Sequence, residues 1–195
     1  MELGKLLEFL HTAGRLKDRT RHSWTSEGRR ESVAEHCWRL SLMALLLGDE
    51  IAGIDRERLM ALCIVHDLGE AVTGDVPAFE KTDAHEEDER AAVLLLCERL
   101  GGQSGAELQA LFAELWEKKT SESRLFDALD RLEAVISHNE ADLSTWLPLE
   151  YELNPVYGQE ACAAFEITRA LRAVQKQISL DKIAAQSCND GKNMV

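Results

Sequence analysis

Apolar residues recur at helical spacing along almost the whole chain. A leucine stripe near the N-terminus predicts a first helix over residues 2–17. The polar, arginine-rich segment 18–31, which contains one tryptophan, is predicted to be a loop. Because no run alternates convincingly between apolar and polar residues, we expect an all-α fold without a sheet.

Start signals locate the next two helices. Ser32 and Glu35 have the spacing of a capping box, and the helix that they begin is predicted to reach about residue 52. This helix is apolar on nearly every side, which favours a central position. Asp55 is the predicted N-cap of a third helix, which continues to about residue 73 and ends before Gly74.

The remaining helices are predicted from further boundary residues, among them a second capping-box pattern at Ser104 and Glu107. They are expected at residues 82–100, 104–118 and 121–140, with a last long helix beginning at Asn154-Pro155. The polar segment 181–195 is predicted to be a fraying C-terminal tail. Together these boundaries predict a single helical bundle of about six to eight helices over residues 1–180.

Size and composition narrow the class of protein. The chain has 195 residues, 45% of them apolar and 29% charged, which suits one soluble globular domain. We expect no membrane association, because no apolar run is long enough to cross a bilayer and the N-terminus lacks a signal-peptide pattern. The net charge of −13 disfavours binding of a nucleic acid polymer. A small anionic substrate requires a metal and local cations that reverse this field.

The five cysteines are widely spaced and include no Cys-x-x-Cys pair. This pattern argues against a disulfide framework and against a zinc–thiolate site. Four of the cysteines lie in apolar stretches, where a free cysteine behaves as a small hydrophobic residue. We therefore expect a reducing, cytoplasmic location.

The pair His66-Asp67, set in an apolar stretch, is the clearest candidate for chemistry. Glu70 lies over the same helix edge, and Gly69 leaves room beside the pair. Imidazole and carboxylate ligands together suit a divalent ion such as Mn, Fe, Co or Zn. A buried His–Asp pair with a purely structural role is the alternative interpretation.

Further ligands are predicted on two other helices. His36 lies in the first turn of the second helix, whose positive end favours a neutral imidazole that can bind a metal. On the helix 121–140, Asp127 has Arg124 and Arg131 at pairing distance, whereas Asp130 has no cation on its own helix. Asp130 therefore needs an outside partner, such as a metal. The alternatives are a half-exposed histidine and a surface aspartate without such roles.

Four motifs together resemble a known family. They are Ser-Val-Ala-Glu-His36, His66-Asp-Leu-Gly-Glu70, Thr-Gly-Asp75-Val-Pro and Leu-Asp130-Arg-Leu-Glu. This pattern resembles the HD-domain phosphohydrolase superfamily, and more narrowly its 5′-deoxynucleotidase branch, over about residues 10–140. The resemblance implies an HD-domain helical bundle and the release of phosphate from (deoxy)nucleoside 5′-monophosphates.

The resemblance also implies roles for individual residues. The metal ligands would be His36, His66, Asp67 and Asp130, holding one divalent transition metal (Mn, Co, Fe or Zn, with Mg also compatible). Glu70 would be the catalytic carboxylate, and Asp75 would contact the sugar or assist proton transfer at the pocket mouth. Arg21 and Trp24 match the arginine and tryptophan with which the family binds phosphate and senses the sugar.

Two other functions and one assembly state are part of the same expectation. The chain could be an HD-type phosphodiesterase or pyrophosphohydrolase on a signalling nucleotide, or a non-catalytic HD domain that binds a ligand. The apolar second helix and the family together predict a homodimer. Outside the motifs, His138 is predicted to be solvated or to cap a helix, and His22 is a further candidate for substrate contact.

Overall fold

The structure is a computed structural model that describes residues 2–192, with side chains described through Gln186. Its α-helices are α1 (Leu3–Ala13), α2 (Val33–Leu47), α3 (Arg56–Val65), α4 (Glu70–Thr73), α5 (Asp83–Leu100), α6 (Gly102–Glu117), α7 (Ser121–Glu140), α8 (Glu150–Leu153), α9 (Gln159–Cys162) and α10 (Glu166–Lys192). Its strands are β1 (Thr20–Trp24) and β2 (Arg30–Ser32). Within the described range, seven helices have ten or more residues, which confirms the predicted helical bundle. None of the helices described is both long and apolar enough to cross a bilayer.

The main core lies where α2, α3 and α7 pack against one another, with α5 and α6 closing one side. Its largest fully buried apolar side chains include Leu40, Leu59, Leu62, Phe112, Leu125 and Leu129. The prediction that the second helix is central is confirmed, because Val33, Leu40 and Ala44 are fully buried. The helix is therefore fixed on two sides, and the residues of its first turn are held firmly against α7.

The segment 18–31, predicted to be a loop, forms most of a two-stranded antiparallel hairpin. Thr20 pairs with Ser32 and Trp24 pairs with Arg30, with an irregular register between these two pairs. Gly28 near the tip has a φ of +79°, a conformation that glycine adopts without strain. The irregular register breaks the alternation by which strands are recognised in a sequence, and contacts with α7 stabilise the hairpin instead.

The third predicted helix is interrupted at the residues of greatest chemical interest. It ends at Val65, and α4 begins at Glu70, where one continuous helix to residue 73 was expected. Between them the amide of Leu68 donates to Val65 and the amide of Glu70 donates to Asp67, at 2.9 and 3.0 Å. Such tighter winding has three residues per turn, so it brings Asp67 and Glu70 onto one side.

The predicted start of a helix was correct where the predicted N-cap forms, as at Ser32 and Asp55. Ser32 Oγ accepts from the Glu35 amide, and the Glu35 carboxylate accepts from the Ser32 amide, so this capping box is confirmed. The capping box predicted at Ser104 and Glu107 was wrong. Instead, α6 begins two residues earlier at Gly102, after Gly101 with a φ of +65°.

The last long helix begins at Glu166 and not at Asn154-Pro155 as predicted. Short helices α8 and α9 occupy this region, and Gly158 separates them with a φ of +72° that a continuous helix does not allow. The predicted tail boundary at residue 181 falls inside α10, which continues to Lys192. Residues 193–195 of that tail lie outside the described residues.

Candidate metal centre and adjoining cavity

Four side chains from separate segments meet beside α7. His36 lies in the first turns of α2, His66 and Asp67 directly follow α3, and Asp130 lies on α7. His36 Nε2 is 3.2 Å from His66 Nε2 and 3.1 Å from Asp130 Oδ1. Asp67 Oδ2 is 2.9 Å from His66 Nε2 and 3.8 Å from His36 Nε2. The structure therefore brings each aspartate within 3.8 Å of both histidines, and the ligand atoms of His36, His66 and Asp67 all lie within 4.8 Å of one another.

The outer nitrogen of each imidazole is held by an acceptor. His36 Nδ1 donates to Glu133 Oε2 at 2.5 Å, and His66 Nδ1 donates to the Cys63 carbonyl oxygen at 2.9 Å. Because both acceptors require a proton on Nδ1, each neutral ring turns its Nε2 lone pair inward. Metal-binding histidines are commonly oriented in this way. Two imidazole nitrogens and two carboxylates are a donor set that fits a borderline divalent ion.

Glu133 orients the centre, and the sequence reasoning did not assign it a role. Its side chain is fully buried on α7, one turn after Asp130. Glu133 also accepts from Arg39 Nε at 2.7 Å and from Arg21 at 3.2 Å. The available signal was a charged residue on the apolar face of α7, between Leu132 and Val135. Such a carboxylate is rarely buried without partners.

The carboxylates of the centre are strongly biased towards the ionised form. Burial alone would raise the pKa of Asp67, but the contact with His66 outweighs it and lowers the pKa to about 2. Burial is likewise outweighed at Asp130, where the hydrogen bond with His36 lowers the pKa below its usual range. These anions create a concentrated negative charge that a cation would neutralise.

The sequence suggested that the end of α2 keeps the His36 ring neutral. In the structure, neighbouring carboxylates act in the opposite direction and raise its pKa. Burial and the Arg21 charge lower the pKa of His36, but Glu133 and Asp130 outweigh both and raise it. These carboxylates therefore shift the His36 ring towards the protonated form. A metal ion competes with a proton for Nε2, so metal binding here is expected to weaken as the pH falls.

Glu70 lies next to the centre with one oxygen free. Its side chain is buried, and Oε2 has no hydrogen-bond partner among the described residues. Burial, together with the charges of Asp67 and Asp75, raises the pKa of Glu70 to about 10. Carboxylate oxygens of Asp67, Glu70 and Glu89 lie within 4.8 Å of one another. Glu70 is thus placed to exchange a proton beside the ligand cluster.

The space that Gly69 was expected to leave beside the pair is filled by α5. A Cβ atom at Gly69 would lie 2.5 Å from Glu89 Cγ and 3.1 Å from the Glu89 carbonyl oxygen. Lys81 pairs with the Glu89 carboxylate at 2.6 Å. The glycine therefore permits α5 to approach the turn that carries Asp67 and Glu70.

A cavity of about 270 Å³ lies near the centre; none of the four predicted ligands lines it, but its residues Arg21 and Asp75 interact electrostatically with Asp67. Arg21 and Asp75 both line it, together with apolar side chains that include Phe79 and Leu153. Asp75 follows Gly74, whose φ of +85° turns the chain sharply after α4. Burial raises the pKa of Asp75, although the Arg21 charge acts in the opposite direction. These two predicted residues thus share the wall of one cavity.

Trp24 is placed differently from Arg21. It is half-buried at the end of β1, and its ring lies under the Arg30 guanidinium, with 4.6 Å between Cζ and the ring centroid. Arg21 points towards the centre and donates to Glu31 and Glu133. The hairpin therefore brings Arg21 to the cavity wall and holds Trp24 against Arg30. A substrate role for Trp24 stays a prediction.

A helical bundle with paired histidines and aspartates around one point defines a class of metal-binding domains. Residues 13–170 match the family model described as HD domain, so the chain belongs to the HD-domain family.

Two named relatives are similar to this chain over about 70% of its length. The chain is 32% identical to a zebrafish (Danio rerio) protein named 5′-deoxynucleotidase HDDC2, over 71% of this chain and 70% of that protein. It is 30% identical to a Dictyostelium discoideum protein of the same name, over 71% of this chain and 78% of that one. Among solved structures, a predicted metal-dependent phosphohydrolase from Magnetospirillum magnetotacticum MS-1 matches with a TM-score of 0.79, at 27% identity and with 93% of each chain covered.

Proposed function

We propose that this protein is a metal-dependent phosphomonoesterase that releases phosphate from (deoxy)nucleoside 5′-monophosphates. The observation that carries the proposal is the convergence of two imidazole nitrogens and two carboxylates beside a cavity that contains an arginine. The relatives named 5′-deoxynucleotidase support the substrate class. The structural neighbour named as a metal-dependent phosphohydrolase supports the reaction type.

The four converging residues would hold one divalent transition metal, Mn, Co, Fe or Zn, with Mg also compatible. They are His36, His66, Asp67 and Asp130. When bound there, the ion supplies Lewis acidity to a phosphoryl oxygen and to the attacking water. The protein holds the histidines in one orientation through Glu133 and the Cys63 carbonyl, which reduces the reorganisation needed for binding.

Proton transfer is assigned to Glu70. Its free Oε2 and its position beside Asp67 support a role in taking the proton of the attacking water, directly or through another water, once the charge of a bound cation lowers the raised pKa of Glu70. Asp75 lies on the cavity wall, where it contacts the sugar or assists proton transfer to the leaving group.

Phosphate recognition is assigned to Arg21. Its guanidinium is already held by Glu31 and Glu133. Binding phosphate with the remaining N–H donors therefore costs little further side-chain entropy. Arg21 is the one lysine or arginine that lines the cavity in the described part of the chain. A single cation favours a monophosphate over the extended phosphate chains of signalling nucleotides. The phosphodiesterase or pyrophosphohydrolase alternative is less well supported for this reason. Trp24 remains the candidate for sensing the sugar.

A homodimer is proposed from the outer face of α2. Trp38, Leu42, Leu45 and Leu46 are exposed along this helix, with Trp38 67% and Leu46 64% accessible. Exposed apolar side chains at helical spacing are typical of an interface between subunits. If this face is the interface, Trp38→Glu should convert the dimer to a monomer in light-scattering measurements, whereas Leu180→Glu on α10 should not. An unmodified chain that is monomeric contradicts the proposal.

A cytoplasmic location is proposed from the cysteines. Cys37, Cys63, Cys97 and Cys162 are buried and free, as expected for a protein from a reducing compartment.

A phosphate-release panel tests the proposed activity. Nucleoside monophosphates, diphosphates and cyclic nucleotides are each incubated with the protein and added Mn, Co or Mg. We expect phosphate only from 5′-monophosphates, only with metal, and not from the Asp130→Ala variant. Release from cyclic or diphosphate substrates alone would favour the phosphodiesterase or pyrophosphohydrolase, and no release from any would favour the ligand-binding domain.

A further inference from the structure

A second cluster of metal-binding side chains lies on the wall of the same cavity, apart from the four converging residues. It consists of His22 on β1, His138 on α7 and Glu150 on α8. The sequence predicted His138 to be solvated or capping, but the structure holds it half-buried against Glu150, whose side chain is 4% exposed. All three residues line the cavity. This second cluster shares no residue with the predicted metal centre.

One carboxylate oxygen is approached by both imidazoles. His138 Nε2 lies 2.7 Å from Glu150 Oε1, and His22 Nε2 lies 2.9 Å from the same oxygen. The three atoms lie within 4.8 Å of one another. The other oxygen, Oε2, accepts from the Leu147 amide at 2.6 Å, so Oε1 is left to face the two rings.

The hydrogen bond of His138 Nδ1 determines whether Nε2 carries a proton where it meets Glu150 Oε1. His138 Nδ1 lies 3.0 Å from the Ala134 carbonyl oxygen, which can only accept a hydrogen bond. In a neutral ring the single proton is therefore on Nδ1, and the Nε2 lone pair points at the carboxylate oxygen. Two acceptors at 2.7 Å repel each other. A positive species between them, either a second proton or a metal ion, removes this repulsion.

The position of His22 favours a metal ion over a second proton as the positive species beside Glu150 Oε1. Its Nε2 is buried, yet it forms no hydrogen bond despite the short distance to Glu150 Oε1. A proton shared between His138 and Glu150 leaves this nitrogen without a partner, which is a costly state for a buried polar atom. A metal ion uses the lone pairs of both rings and the carboxylate together, and it requires the exposed Arg30, whose Nη1 lies 3.4 Å from His22 Nδ1, to move away so that Nδ1 carries the His22 proton.

The surroundings hold the second cluster in place. Trp146 Nε1 donates to the His138 carbonyl at 2.9 Å, and its ring packs edge-on against the His138 ring. The Phe79 ring packs edge-on against His22. Such support keeps the donor atoms close before an ion arrives, and this lowers the cost of binding.

From this geometry we propose that His22, His138 and Glu150 form a second metal site, which binds a borderline divalent ion of the zinc class. Two imidazoles and one carboxylate are a common ligand set for zinc, and such a site leaves a coordination position for water or another ligand. Here the cavity supplies the open side. The site therefore presents a second cation to molecules that enter the cavity.

Zinc binding to the full chain tests this proposal. The Asp130→Ala variant, which lacks one residue of the first centre, reports mainly on the second cluster. After stripping, reloading with zinc alone and gel filtration, we expect about one zinc ion per Asp130→Ala chain that is lost when Glu150→Gln is added. Reloading with cobalt instead should give visible absorption bands that disappear with the same change.

Two further variants make the result specific. His22→Gln should remove the same zinc ion, because it deletes one ligand without touching the Trp146 packing. His11→Ala, which removes an exposed histidine on α1, should leave it bound. Circular dichroism identifies any variant that fails to fold, and His22→Gln then replaces Glu150→Gln as the decisive variant. Zinc that stays bound to folded His22→Gln and Glu150→Gln chains, or no zinc beyond the first centre, overturns the proposal.

Discussion

The Nε2 atoms of His36 and His66 lie 3.2 Å apart, although 30 residues separate the two histidines in the sequence. Each ring is anchored through Nδ1, so rotation cannot relieve the close approach without breaking a hydrogen bond. Two inward lone pairs at this distance repel each other unless a cation or a proton lies between them. The residues that anchor the two rings should therefore control how tightly a cation is held.

Glu133→Gln should weaken metal binding about 10- to 100-fold. The change keeps the shape of the side chain but removes the negative charge that holds His36 Nδ1–H and balances Arg39 and Arg21. Competition with a chromogenic chelator measures the affinity. Glu140→Gln is the matched control, because Glu140 also pairs with Arg39 but is half-exposed and does not touch His36. Equal affinities for the two variants would remove Glu133 from the positioning role.

Glu70→Gln should reduce kcat by about 10²- to 10⁴-fold while metal binding persists. The amide cannot accept the proton of the attacking water, yet it fills nearly the same volume in the buried position. Steady-state phosphate release and elemental analysis on the same preparation separate the two effects. Glu80→Gln, at an exposed position in the loop after α4, should behave as the unmodified chain. Turnover that survives the Glu70 change would rule out its proposed proton transfer.

Arg21→Lys should lower kcat/KM by about 10- to 100-fold, the equivalent of losing one hydrogen bond to a charged group. Lysine retains the charge but cannot both contact Glu31 and Glu133 and present a forked donor to phosphate. Kinetics with a nucleoside 5′-monophosphate measure the effect. Arg29→Lys, at an exposed pair with Glu35, should leave kcat/KM unchanged. A similar result for both variants would argue against phosphate contact by Arg21.

Gly69→Ala should lower the free energy of unfolding by about 1–3 kcal/mol. The added methyl group would overlap Glu89 and also approach Val93 Cγ2 at 3.2 Å, so α5 must shift away. Denaturant titration measures the change. Gly4→Ala on α1 is the control, since a Cβ atom added there would meet no atom within 4 Å and alanine is the better helix former. Unchanged stability of Gly69→Ala would show that α5 does not depend on this close approach.

The choice between Asp127 and Asp130 illustrates what the sequence can resolve. Asp127 pairs with Arg131 at 3.2 Å and with Lys118 at 2.7 Å, so a nearby cation satisfies it as its helical spacing predicted. Asp130 instead faces His36 and His66. Local spacing along one helix was sufficient to predict the pair with Arg131 one turn away, but not the shorter contact with Lys118 before α7.

Contacts between distant segments were harder to predict. The hairpin that carries Arg21 and His22 depends on packing against α7, more than a hundred residues later, and its irregular register hides the usual strand pattern. The turn between Val65 and Glu70 depends on its neighbours in the same way, since the local sequence favours a continuous helix. Glu133 left a readable signal in its apolar surroundings, but its partners could be identified only in three dimensions.

Metal content of the purified chain tests the central claim most directly, measured beside Asp130→Ala and the neighbouring Asp127→Ala. We predict that Asp130→Ala holds about one divalent ion fewer per chain than the unmodified protein, whereas Asp127→Ala holds the same number. Equal metal content in the Asp130→Ala variant and the unmodified chain, or an unmodified chain that binds no divalent transition metal, would contradict the account.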